Sequence, residues 1–125
     1  MAKMNMKISV LAREKAGVIR LAAEGEITSR DLYEQEESKN PLEKVVGPNW
    51  SKERILLNLE KVSFIDSTGI GWLIDCNRQM KSAGGKLVLY SAPPRVREVF
   101  DLLKLGAVLN LRDNELAARQ LVGAA

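Results

Sequence analysis

Arg54-Ile55-Leu56-Leu57-Asn58-Leu59 sets the architecture of this chain. Its apolar residues run almost without interruption where a half-exposed strand would alternate, so it predicts a strand covered on both faces, at the centre of a sheet. Downstream, Val62-Ser63-Phe64-Ile65 leads into Asp66-Ser67-Thr68-Gly69-Ile70-Gly71, and from there Ile70, Leu73, Ile74 and Met80 recur near helical spacing until Gly84-Gly85 stops the run. Lys86-Leu87-Val88-Leu89-Tyr90 predicts the next strand. Pro93-Pro94 opens a helix with a core stripe of Val96, Val99, Phe100 and Leu103, closed by Gly106. Ala107-Val108-Leu109-Asn110-Leu111 reads as a last strand, and Asp113 or Asn114 caps a C-terminal helix that runs to Val122.

Upstream, Lys7 to Arg13 alternates at period two, Ala16-Gly17 supplies turn chemistry, and Val18 to Gly25 resumes an extended apolar pattern, which predicts a hairpin. Thr28 or Ser29 can cap a weakly apolar helix with Asp31 and Glu34 in its first turn. A short helix is predicted from Asn40, with Pro41 first, Glu43 completing a capping box and Gly47 just past the end; Pro48-Asn49-Trp50-Ser51 is then a loop. The order predicts an α/β domain with a mixed sheet, antiparallel in the hairpin and parallel through right-handed crossovers. Residues 66–71 then sit at the carboxyl end of a parallel strand, where such sheets meet ligands and partners.

The 125 residues are 46% hydrophobic and 28% charged, the balance of one compact domain. No run of eighteen apolar residues and no apolar leader occur, so no membrane span is expected. Cys76 has no second cysteine to pair with, as in a reducing cytoplasm. The net charge of +3 is spread singly along the chain, which argues against a nucleic-acid partner. With no histidine, Ser-His-Asp and Cys-His catalysis and histidine zinc motifs are excluded.

Asp66-Ser67-Thr68-Gly69-Ile70-Gly71 is the one segment that carries chemistry. Its plainest role is structural: Asp or Ser caps a helix, worth on the order of 1 kcal/mol, and the glycines let it pack closely. Gly69-x-Gly71 also opens a helix after a strand, but Ile74 holds the third glycine position of a dinucleotide fingerprint, and the next strand ends Leu89-Tyr90-Ser91-Ala92 without a ribose-binding acid. A phosphate-cradling loop at Gly85-Lys86 fails because Leu87 follows and Met80 holds the first glycine position. Ser67 as a hydrolase nucleophile lacks a histidine base, and Ile65 replaces the first glycine of a nucleophile elbow. A serine–lysine dyad stays open but has no support in the sequence, and what remains is a serine hydroxyl at a helix N-terminus beside an acid. Phosphate there adds nearly two negative charges that the helix amides favour and Asp66 opposes, so a binding surface can change sign while the fold survives. Trp72 lies partly off the apolar stripe, either exposed as an interface anchor or tucked under a neighbouring helix, and the same choice applies to Trp50.

At these residues the sequence resembles the STAS domain family, and specifically the bacterial anti-sigma-factor antagonists. The likeness runs from Gly25-Glu26-Ile27, through Leu59 to Gly71 with its Asp-Ser-Thr-Gly block, to Gly84-Gly85, Val99-Phe100-Asp101-Leu102 and Leu105-Gly106. It implies a single STAS domain over residues 1–125 in which an anti-sigma factor that is itself a serine kinase phosphorylates Ser67. The resemblance further implies partner switching: the unphosphorylated form binds the kinase and frees a sigma factor, phosphorylation ends that binding, and a serine phosphatase restores it. Such a protein is a cytoplasmic regulator of transcription and a substrate, not an enzyme, and ATP and magnesium belong to the kinase, leaving no cofactor here. Thr28, Asp66, Thr68, Gly69 and Trp72 are then the expected partner contacts. Within the same fold, the alternative is a non-phosphorylated adaptor subunit of a signalling or lipid-transport assembly. Two departures stand out: Thr28 occupies the position after Gly-Glu-Ile where these antagonists usually carry an acid, and the stretch from Asn40 to Ser51 is several residues longer than usual.

Overall fold

A computed structural model describes residues 6–28, 32 and 40–123. Five strands form one sheet in the order β1-β2-β3-β4-β5, made of β1 (Lys7–Arg13), β2 (Val18–Ile27), β3 (Arg54–Ile65), β4 (Lys86–Tyr90) and β5 (Leu111–Arg112). The β1–β2 pair is antiparallel and the β2–β3, β3–β4 and β4–β5 pairs are parallel, so the expected mixed sheet with an N-terminal hairpin is present. Four α-helices lie among the described residues: α1 (Pro41–Val46), α2 (Ser67–Ala83), α3 (Pro94–Leu102) and α4 (Glu115–Gly123). The helix expected from Thr28 or Ser29, with Asp31 and Glu34, lies outside the described residues except for Thr28 and Leu32. Leu32 is helical, and its amide donates to the Thr28 carbonyl at 3.2 Å.

β3 is central because it is apolar on both sides. Ile55, Leu57, Leu59, Val62 and Ile65 face one core with Ile70, Leu73, Met80, Val96 and Phe100, while Leu56 faces a second with Val18, Val88, Tyr90, Ala118 and Val122 of α4. Each such fully buried side chain contributes about 1.5–3 kcal/mol of transfer free energy. This double cover explains why Ile55, Leu56 and Leu57 are all apolar where a half-exposed strand would alternate.

Helix ends follow local chemistry. The Asn40 side chain caps α1 by accepting from the Leu42 amide at 2.8 Å, and Arg13 closes its other end on the Val46 carbonyl at 3.1 Å. Gly84, left-handed at φ 92°, stops α2, and Gly85 lies so close to the preceding segment that a Cβ there would stand 2.3 Å from the Ser51 carbonyl oxygen. Of the two candidate caps for α4, Asn114 does the work, accepting from the Ala117 amide at 2.9 Å.

Three expectations are corrected. Gly106 does not close α3: the helix ends at Leu102, Lys104 takes the left-handed conformation at φ 54°, and Leu105–Ala107 form a 3₁₀ turn. The strand expected over residues 107–111 shrinks to Leu111–Arg112, because Leu105 and Leu109 are drawn into the core and leave no extended run to pair with β4. The Pro48–Ser51 loop is partly a second 3₁₀ turn, Trp50–Lys52, and its Trp50 is buried in the main core, on the side of the sheet that α2 and α3 cover.

An ionic cluster ties α4 to the second face. Arg119 donates to both carboxylate oxygens of Glu14, at 2.9 and 2.6 Å, and to Glu115 at 2.9 Å, while Arg20 and the Tyr90 hydroxyl donate to the other Glu115 oxygen at 3.2 and 3.4 Å. Hydrogen bonding from Arg119 holds the carboxyls of Glu14 and Glu115 below their ordinary 4.5. A group lowered in the folded state adds stability that is in place above its unfolded value and is lost as pH falls through the folded one. An Arg119→Met variant should therefore melt below the wild type at neutral pH, and the gap should close as pH falls below 4.5; thermal melts across that range check it, and a constant gap would contradict it.

Candidate functional site

The carboxyl ends of β2 and β3 and the start of α2 meet at one tip of the molecule. Ile27 and Ile65 are register partners, and the Asp66 amide donates to the Ile27 carbonyl at 3.2 Å. Asp66 is extended, at φ −100° and ψ −179°, and its Oδ1 accepts from the Gly69 amide at 2.8 Å, while its carbonyl accepts from Ile70 at 3.0 Å. The acid therefore caps α2, one of the two caps the sequence offered, and Ser67 becomes the first residue of the helix.

That division of labour sets the chemistry of Ser67. It is exposed, and its hydroxyl has no hydrogen-bond partner among the described residues. Gly71, one helical turn further along, is also exposed and bare of neighbours, so nothing crowds the hydroxyl from that side. The tip brings Thr28, Asp66, Ser67, Thr68 and Gly69 together; Thr28, Asp66 and Thr68 are half-buried, and Thr28 and Asp66 each make contacts within the fold.

Trp72 is different. It is only 8% exposed and its indole N–H donates to Asn40 Oδ1 at 3.3 Å, so of the two orientations open to it the tucked one is realised, and it presents no ring to a partner. Asn40 also donates to Cys76 Sγ at 3.3 Å, which fastens the start of α1 to the middle of α2. Burial pushes the Cys76 thiol up to about 12, so it packs as a small apolar group and is no nucleophile at neutral pH.

Sequence reasoning missed Phe64. It pairs with Glu26 at the end of β3 and is 49% exposed, on the face opposite Ile65. Period-two alternation backwards from the buried Ile65 was the signal that could have found it.

Gly69 is where the site is most tightly built. A Cβ there would stand 2.3 Å from the Ile27 carbonyl oxygen and 2.8 Å from Ile65 Cγ1, so only glycine lets the start of α2 rest on the end of β2. Gly69→Ala should cost about 1–3 kcal/mol through overpacking. Gly71→Ala meets nothing within 4 Å in a helix and should be neutral or stabilising by up to about 1 kcal/mol. Denaturant melts of the two variants check this contrast, and equal effects would contradict it.

Comparison with known proteins fits this geometry. The STAS domain profile matches residues 9–118. The chain is 36% identical over 52 residues to the anti-sigma F factor antagonist of Lysinibacillus sphaericus, covering 42% of this chain and 44% of that one. It is 29% identical over 66 residues to the anti-sigma F factor antagonist of Paenibacillus polymyxa, covering 53% and 56%. The chain thus spans about half the length of these curated relatives. Among solved structures, the anti-sigma factor antagonist SpoIIAA in its unphosphorylated form superposes with a TM-score of 0.61 at 24% identity, over 96% of this chain and 98% of that one. The phosphorylated form of SpoIIAA from Bacillus gives 0.58 at 20% identity, over 93% and 98%. At that identity the structural likeness carries the fold. With the profile covering nearly all of the sheet and its helices, the chain belongs to the STAS domain family.

Proposed function

We propose that this chain is an anti-sigma-factor antagonist whose binding to an anti-sigma serine kinase is switched off by phosphorylation of Ser67 and restored by a serine phosphatase. The observation that carries the reading is the exposed Ser67 hydroxyl, spare because Asp66 performs the capping. The names of the curated relatives support the antagonist role, and SpoIIAA, which shares the fold, exists in phosphorylated and unphosphorylated forms.

The physical logic is local. A phosphate on Ser67 brings about −1.5 to −2 charges to the start of α2. The helix dipole favours negative charge there by about 0.3–1 kcal/mol, and the adjacent Asp66 opposes it. These contributions are small beside the apolar burial that holds β3 and α2 together, so modification leaves the scaffold in place. The surface offered by Thr28, Asp66, Ser67 and Thr68, with Gly69 buried beneath it, changes from one carboxylate to a cluster of negative charge, and a partner fitted to the first form meets desolvation and repulsion in the second. In this reading the chain is substrate and ligand, acts inside the cell, and leaves ATP and magnesium to the kinase.

A Ser67→Ala and Ser67→Asp pair tests the switch. With the anti-sigma kinase of the same organism as probe, Ser67→Ala should keep its affinity and resist phosphorylation by ATP and magnesium. Ser67→Asp should lose at least about tenfold in affinity, about 1.4 kcal/mol, with an unchanged helical circular dichroism spectrum. Full binding by Ser67→Asp would instead favour a constitutive adaptor.

A further inference from the structure

The end of β3 opposite Ser67 holds a cavity of about 500 Å³, bounded by the starts of β3 and β4, the last turn of α2, and residues 106–110. Small-molecule sites fall at about 300–1,000 Å³. Arg54, Lys81 and Lys86 line this one, and among the described residues no carboxylate does. Arg54 and Lys86 are register partners on adjacent strands, so two cations stand on one face of the sheet with their backbones about 4.8 Å apart. Like charges placed directly opposite each other are destabilising unless something offsets them.

Part of the offset comes from the fold. Lys86 Nζ donates to the Leu121 carbonyl at 3.0 Å, and Arg54 donates to the Val122 carbonyl at 3.5 Å and, through its other terminal nitrogen, to the Ala16 carbonyl, so both cap the C-terminal end of α4 and Arg54 also ties it to the turn of the hairpin. α2 ends at the same place, with Lys81 in its last turn. Two helix C-termini supply about half a negative charge each. Against Arg54, Lys81 and Lys86 that leaves about two positive charges unmatched, and Lys81 is exposed with no hydrogen bond or ion pair among the described residues. The buried side chains of Leu109 and Val122 give the same cavity an apolar floor.

We propose that this cavity binds a small, multiply charged anion, a phosphate- or polycarboxylate-bearing molecule, held by Arg54, Lys81 and Lys86 with its carbon skeleton against Leu109 and Val122. The site stands apart from Ser67 and does not depend on the partner-switching reading. It differs from a phosphate-cradling loop in that Lys86 begins a strand instead of a helix, so side-chain cations do the work that backbone amides do at a helix N-terminus.

Calorimetric titration and thermal melts of the full chain test it, with inorganic pyrophosphate and citrate as probes and sodium chloride at matched ionic strength as control. Saturable binding of either probe, a rise in melting temperature that the chloride does not reproduce, and amide NMR shifts at Gly84 and Gly85 are expected. Preference for pyrophosphate or for citrate assigns the phosphate or the carboxylate chemistry. Lys81→Gln, which removes a charge without removing a hydrogen bond, should weaken binding about three- to tenfold at unchanged melting temperature of the free protein. Stabilisation equal to that by chloride, unchanged affinity in Lys81→Gln, or shifts confined to the amides of residues 67–69 would overturn the assignment.

Discussion

The contact between the start of α2 and the end of β2 governs the rest of this structure. Gly69 leaves no room for a side chain above the Ile27 carbonyl, Asp66 hydrogen-bonds to that same carbonyl, and the Asp66 carboxylate closes the first turn onto Gly69. Two strand ends and one helix start are thereby fixed to one another through backbone atoms. Ser67 takes its place in space from this lock and contributes nothing to it. A group held by its neighbours and not needed by them can change its charge at little cost to the fold, which is what a phosphorylation switch requires.

The buried β3 strand supplies the rigidity on which that lock rests. Its residues are covered by α2 and α3 on one side and by α4 on the other, and α4 is fastened by a different chemistry, the Arg119, Glu14 and Glu115 cluster. The two ends of β3 are electrostatic opposites in consequence. One presents the N-terminal dipole of α2 with Ser67, and the other gathers the C-termini of α2 and α4 with the cations that answer them.

Much of this was legible in the sequence where one local signal sufficed. The nearly continuous apolar run within residues 54–59 named the central strand, Gly84-Gly85 named the end of α2, and the Asp-Ser-Thr-Gly block named the tip. The sequence left Asp66 and Ser67 as rival caps, and only the observed Asp66–Gly69 bond frees the serine. Reading failed where tertiary packing overrode local pattern. Leu109 looks like part of an extended run but is pulled into the core beside Leu105, and the left-handed Lys104, not Gly106, breaks α3. Helical spacing left Trp72 either exposed or tucked, and its bond to Asn40, distant in sequence, goes with the tucked form. The same long-range packing explains the burial of Trp50.

Whether Ser67 is a phosphorylation switch is decided by phosphopeptide mass spectrometry of the protein recovered from its own cells, in growth and under stress and with Ser67→Ala as control. Phosphate is expected on Ser67, with an occupancy that changes with condition and a signal that vanishes in the variant. An unmodified Ser67 under every condition, or phosphate only elsewhere on the chain, would contradict it.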